Sequence, residues 1–106
     1  MKRDQHAGIV GQRSRKSATY RKTFARAVQQ IDLALLVREM REDSDMTQTE
    51  LAKKIGTTQS VIARLEGAEY TGHSLPILER IAAVCGVNLK LRAQKKPNFD
   101  REVALV

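Results

Sequence analysis

Thr47-Gln48-Thr49-Glu50-Leu51-Ala52-Lys53-Lys54-Ile55-Gly56-Thr57-Thr58-Gln59-Ser60-Val61-Ile62-Ala63-Arg64-Leu65-Glu66-Gly67 is the most informative stretch of the chain. Thr47 to Glu50 spells a capping box: the Thr47 hydroxyl can accept from the Glu50 amide, and the Glu50 carboxylate can accept from the Thr47 amide. A helix follows with Leu51, Ala52 and Ile55 on its inner face. Gly56 ends it, because glycine enters the left-handed conformation of a helix stop without a Cβ penalty. Thr58 then caps a second short helix, Gln59 to Glu66, with Val61, Ile62 and Leu65 inward, and Gly67 stops it.

Two helices joined so closely cross steeply, and the residue at the crossing must be small; Ala52 fits. The second helix of such a pair can enter the major groove of DNA by its N-terminal end. Its outward residues are Gln59, Ser60, Ala63 and Arg64, with Thr58 beside them at the cap. Glutamine suits adenine and arginine suits guanine, each through paired hydrogen bonds. Gln48, at the start of the first helix, is placed to meet a phosphate, aided by the free amides there.

Upstream, Thr19 to Asp43 contains neither Gly nor Pro. Tyr20, Phe24, Val28 (or Ala27), Ile31 and Leu35 recur at three- and four-residue spacing on one helical face. Val37 and Met40 continue an apolar stripe. Asp32 can cap a restart, which gives two helices with a break near Gln30. Downstream, Ser74 caps a helix with Pro76 in its first turn, where no donor is needed. Its stripe is Leu75, Leu78, Ile81, Ala82 and Cys85, and Gly86 ends it. Val87, Leu89 and Leu91 alternate with Asn88, Lys90 and Arg92, a strand pattern. The stretch 94–106 reads either as a tail or as a second short strand ending Val103-Ala104-Leu105-Val106.

Charge divides the chain. The formal net charge is +7. Residues 1–30 hold eight Lys/Arg against Asp4 alone, which accounts for all of it, and residues 31–106 hold eleven of each sign. Residues 1–18 read as a disordered basic arm, either a nucleic-acid contact or a solvated tail. Residues 19–93 read as the globular domain with its helical extension. A chain of 106 residues holds one small domain, whose thin core often gains stability by self-association.

Other classes are disfavoured. Cys85 is the single cysteine, so no internal disulfide forms, and it reads as a small core residue. His6 and His73 stand apart from any cluster of metal ligands. There is no Gly-rich phosphate loop and no nucleophile–base set, so the chain reads as a non-enzyme without cofactor or metal. No apolar run approaches the ~20 residues of a membrane span, and no signal-peptide pattern appears, so the expected location is cytoplasmic.

The motif resembles the Cro/phage-repressor (Xre-type) helix-turn-helix family, through Thr47-Gln48-x-Glu50-Leu51-Ala52, Ile55-Gly56-Thr57-Thr58-Gln59-Ser60-x-Ile62 and Arg64-Leu65-Glu66. The resemblance continues through Ser74-Leu75 and Leu78-x-Arg80-Ile81-Ala82 to Gly86-Val87, covering about Leu35 to Arg92. It departs at Gly67-Ala68-Glu69-Tyr70, where many members carry a more basic Asn-Gly turn. It implies an all-α fold: a five-helix domain with an N-terminal helical extension and a short C-terminal β-strand. It also implies an ion pair between Arg41 and Glu66. Within the family the chain looks most like HigA-type antitoxins, on the evidence of the extension from Tyr20 to Ile31, the loop 68–75 and the strand at Val87 to Leu91. That likeness implies a DNA-binding repressor of its own operon with a ribonuclease toxin as partner; the alternative is a stand-alone repressor. The expected operator is palindromic and the expected state a homodimer. Leu89 and Leu91 are the expected dimer strand, because a lone strand leaves an unpaired edge. Tyr20, Phe24 and Ile31 are the expected toxin-docking face.

Overall fold

A computed structural model describes the backbone of residues 2–105 and the side chains of residues 17–105. The element order is α1 (Lys2–Asp43), α2 (Gln48–Ile55), α3 (Gln59–Leu65), α4 (Leu75–Cys85), β1 (Leu89–Lys95) and β2 (Phe99–Leu105). The expectation of five helices and one short strand is thereby corrected: the described residues form four helices and a two-stranded antiparallel sheet.

The missing fifth helix is the restart at Asp32. α1 runs through that residue without interruption, for 42 residues, about 60 Å at the usual helical rise. Asp32 is flanked by good helix formers, among them Ala27, Gln29, Gln30, Leu33 and Ala34. The propensity penalty of one aspartate, about 0.7 kcal/mol, does not break such a run. The backbone of residues 2–18, read above as a disordered arm, forms the beginning of the same helix. The side chains of Lys2, Arg3, Arg13, Arg15 and Lys16 lie outside the described residues.

The core sits where α1, α2, α3 and α4 meet. Val37 and Met40 from α1, Leu51, Ala52 and Ile55 from α2, Ile62 and Leu65 from α3, and Leu78, Ile81 and Ala82 from α4 are all buried, joined by Met46 from the α1–α2 turn. α2 packs on α3 and α4, and α1 packs on α4. Ser44 fastens two helix ends together, with its Oγ 3.0 Å from the Met40 carbonyl and 3.2 Å from that of Cys85. Cys85 is half-buried against the core.

The second strand resolves the open reading of the tail. β1 pairs antiparallel with β2 in the register Leu89 to Leu105, Leu91 to Val103 and Lys95 to Phe99. The lone-strand argument for dimerisation through Leu89 and Leu91 is corrected with it, because β1 finds its hydrogen-bonding partner within its own chain. Period-2 alternation puts Leu89, Leu91, Phe99, Val103 and Leu105 on one face. The opposite face carries two ion pairs, Lys90–Glu102 at 3.6 Å and Arg92–Asp100 at 2.6 Å.

Candidate nucleic-acid interface

The two short helices are set by local chemistry. The Glu50 amide donates to the Thr47 hydroxyl at 3.1 Å, and the Thr47 amide donates to Glu50 Oε1 at 3.0 Å. That backbone donor is the main cause holding the Glu50 carboxyl below its ordinary pKa. Gly56 adopts φ 77° and ψ 37°, the left-handed geometry that turns the chain out of α2. Thr58 caps α3 by accepting from the Val61 amide at 3.4 Å. Ile62 and Leu65 are buried. Their burial fixes the rotation of α3, so that Gln59, Ser60 and Arg64 are exposed and Ala63 is half-exposed.

A chain of side-chain hydrogen bonds runs from the interior to that exposed face. Arg41 Nε donates to Glu66 Oε2 at 2.6 Å, and Arg41 Nη2 donates to Glu66 Oε1 at 2.8 Å. Arg41 Nη1 donates to the Met46 carbonyl at 2.9 Å, which ties the pair to the turn after α1. The two side chains are 13% and 5% exposed. A pair so well shielded is screened far less than a surface pair. Its fork-on-fork geometry makes it one of the stronger kinds of ion pair. The bond to Glu66 is the chief reason the Arg41 pKa lies above its ordinary value.

The chain continues outward through glutamines. Gln48 Nε2 donates to Glu66 Oε1 at 3.2 Å, and Gln59 Nε2 donates to Gln48 Oε1 at 2.7 Å. The position of Glu66 therefore orients Gln48, and Gln48 orients Gln59. Each amide nitrogen carries two hydrogens. Gln59 is left with one N–H donor and its Oε1 acceptor, the pair of groups that adenine's N7 and N6 require in the major groove. Gln48 keeps one N–H that these two bonds do not use. The sequence reading placed both glutamines on the exposed side and missed the bond between them. Its signal was available: each is the first residue of its helix, and a tight turn brings two such positions together.

The loop after α3 is held by a second contact. His73 Nε2 lies 2.6 Å from the Leu65 carbonyl, so this nitrogen carries the proton and donates. Tyr70 meets the His73 ring edge-on at a centroid distance of 5.5 Å. A Cβ at Gly72 would overlap the Tyr70 ring, so a larger residue there would have to push that side chain aside. The remaining predicted residues do not join this site. Tyr20, Phe24 and Ile31 are exposed along α1, Leu91 is exposed on the hairpin, and Leu89 packs at the edge of the core.

The model of the helix-turn-helix domain family matches residues 32–94. The chain belongs to the helix-turn-helix domain family. The match takes in all of α2, α3 and α4, the last part of α1 and β1 up to Gln94, and it supports an Xre-like DNA-binding regulator. It is coarser than a HigA-type assignment. No curated protein and no solved structure matches the chain. Among the described residues no helix is long and apolar enough to cross a membrane. Among the same residues no group of three or more His, Cys, Asp or Glu could hold a metal ion.

Proposed function

We propose that this helix-turn-helix chain is a cytoplasmic, sequence-specific transcriptional repressor that binds a palindromic operator as a homodimer. Gln59, Ser60, Ala63 and Arg64 meet base edges, and Thr58 and Gln48 meet the backbone. The observation that carries the reading is the hydrogen-bonded chain Arg41–Glu66–Gln48–Gln59, which ends on the exposed face of α3 with an unused donor and acceptor. A surface with no ligand gains nothing from holding a flexible glutamine in one orientation. A site that reads bases does, because preorganisation removes part of the ordering cost of binding.

The test is selection of binding sites from a random duplex pool, followed by titration of variants. Arg64→Ala and Gln59→Ala should relax base preference, by about 1–3 kcal/mol per lost paired contact, while Gln48→Ala weakens all sequences alike. A site ranking unchanged in Arg64→Ala would refute the base-reading role. Enrichment of a single unpaired half-site would refute the palindrome.

A second reading keeps the DNA-binding role and adds a toxin: the chain would be the antitoxin of a HigBA-type pair, repressing its own operon. It is favoured by the exposure of Tyr20, Phe24 and Ile31 on α1, a face able to dock into a partner's groove. Arg21, Lys22 and Arg26 beside that face work against a basic ribonuclease. Copurification from the native host decides between the two: a stoichiometric small ribonuclease establishes the antitoxin, and its absence leaves the stand-alone repressor.

A further inference from the structure

α1 carries two apolar faces. Val37 and Met40 point into the core. Phe24, Val28, Ile31 and Leu35 are 58%, 39%, 43% and 47% exposed. At 3.6 residues per turn these four fall within an arc of about 60°, centred roughly 150° around the helix from Val37. The second face is therefore no edge of the core. It is a separate seam on the far side of the helix.

The seam has a symmetry of its own. Its intervals are four, three and four residues, the alternation of a coiled-coil seam, with Val28 and Leu35 at one type of position and Phe24 and Ile31 at the other. Read backwards, the intervals are the same. An antiparallel copy centred between Gln29 and Gln30 would set Phe24 against Leu35 and Val28 against Ile31, twice each. A two-fold interface demands this self-complementarity. Ala25 and Ala27 flank the seam, and their small side chains allow close approach.

Charge selects the same arrangement. From residue 17 to 31 the helix carries Arg21, Lys22 and Arg26 and no acid. From residue 32 to 43 it carries Asp32, Glu39, Glu42 and Asp43 against Arg38 and Arg41, and Arg41 is already paired with Glu66. A parallel pairing would set each basic half beside its own copy. The antiparallel pairing sets each basic half beside an acidic one. In that register Arg21 stands on the same flank as Glu39 of the other copy, one residue (about 1.5 Å) from its level. On the other flank Tyr20 stands one residue from the level of its Arg38, within reach of a cation–π contact. Glu39 is exposed and forms no ion pair within the described residues.

We infer that the outer face of α1 binds a second copy of this chain, as an antiparallel helix pair along Phe24, Val28, Ile31 and Leu35. This rests on the dimeric part of the reading above and names the surface that forms the dimer. It gives to a second copy the face that the antitoxin reading gives to a toxin.

The experiment is sedimentation equilibrium of the full chain without DNA across a concentration series, with circular dichroism of each variant as a control for folding. The wild type should sediment at twice the 11.9 kDa chain mass. Ile31→Asp should sediment as a monomer with unchanged helicity, because Ile31 is outside the core. Arg21→Glu and Glu39→Arg should each weaken the dimer, by about tenfold, since each places like charges together at two symmetric positions. The double variant Arg21→Glu/Glu39→Arg should restore it. A wild type that stays monomeric overturns the proposal, as does a dimer that survives Ile31→Asp but dissociates in Leu91→Asp. Failure of the double variant to restore the dimer overturns the antiparallel register. DNA is absent throughout, so a loss of operator binding in Gln59→Ala at unchanged mass would count against base reading and leave the dimer standing.

Discussion

The turn region 47–67 and the outer half of α1 both show apolar residues at helical spacing, yet they end in opposite states. In the turn region, Leu51, Ile62 and Leu65 are almost completely buried. On α1, Tyr20, Phe24 and Ile31 stay exposed, and Tyr20 and Phe24 stack on one another at 6.2 Å between ring centroids. A hydrophobic stripe states which side of a helix must be covered. What covers it depends on which other elements are near enough. α2 and α3 are eight and seven residues long and meet α1 and α4 within one small body. α1, at 42 residues, is far longer than that body, so its outer stripe stays uncovered among the described residues.

The contrast is broken most severely by truncation in the buried region. Leu51→Ala should destabilise the fold by about 2–5 kcal/mol, the range for a large-to-small change in a closed core. Urea denaturation followed by circular dichroism measures it. A loss below about 1 kcal/mol would mean that the core around α2 is not closed. Next comes the ion pair. Glu66→Ala leaves the Arg41 guanidinium shielded and without its carboxylate, and should destabilise by about 2–3 kcal/mol, less than for a fully buried pair because Arg41 keeps some solvent contact. A double-mutant cycle with Arg41→Ala should show strong coupling, and additive losses would dispose of the pair's structural role.

Thr47→Ala removes the cap of α2 and should destabilise by about 1 kcal/mol. Its partner gives a pH test with a definite sign. Glu50 has a folded pKa below its ordinary value, so its contribution is present above the unfolded carboxylate range and fades as pH falls through the folded pKa. Glu50→Gln should therefore lower stability at neutral pH, change it little in acid, and so flatten the acid limb of the stability curve. The reverse outcome would show that the capping box does not titrate. The smallest effect belongs to the exposed hairpin: Leu91→Ser should change stability by no more than about 0.5 kcal/mol. A larger loss would show that the hairpin's apolar face is covered after all.

How much was legible in the sequence varied with the range of the signals. The boundaries of α2 and α3 were, because their determinants lie within four residues of where they act: Thr47 with Glu50, Thr58 with Val61, and Gly56 at the stop. The continuity of α1 was misread at Asp32, a residue able to cap a helix and also tolerated within one. Local chemistry permits both, and helix-forming neighbours on either side favour one. β2 was left open because Val103-Ala104-Leu105-Val106 has the composition of a strand but no turn signal that fixes its register. Pairing with β1 settles it.

The sequence by itself determined the caps, the stops, the inner faces of α2, α3 and α4 (except Leu75, placed in the α4 stripe but exposed), and the residues on the outward side of α3. Each of these follows from contacts along the chain or from a repeating spacing, and such interactions need no knowledge of distant segments. Only the tertiary structure decided that Gln48 bridges Glu66 and Gln59, that β1 finds β2, and that one side of α1 enters the core while the other remains open. Those facts are matters of proximity between segments 11 to 25 residues apart in the glutamine–carboxylate chain. Proximity of that kind arises when buried surfaces choose one packing, and no local spacing specifies it.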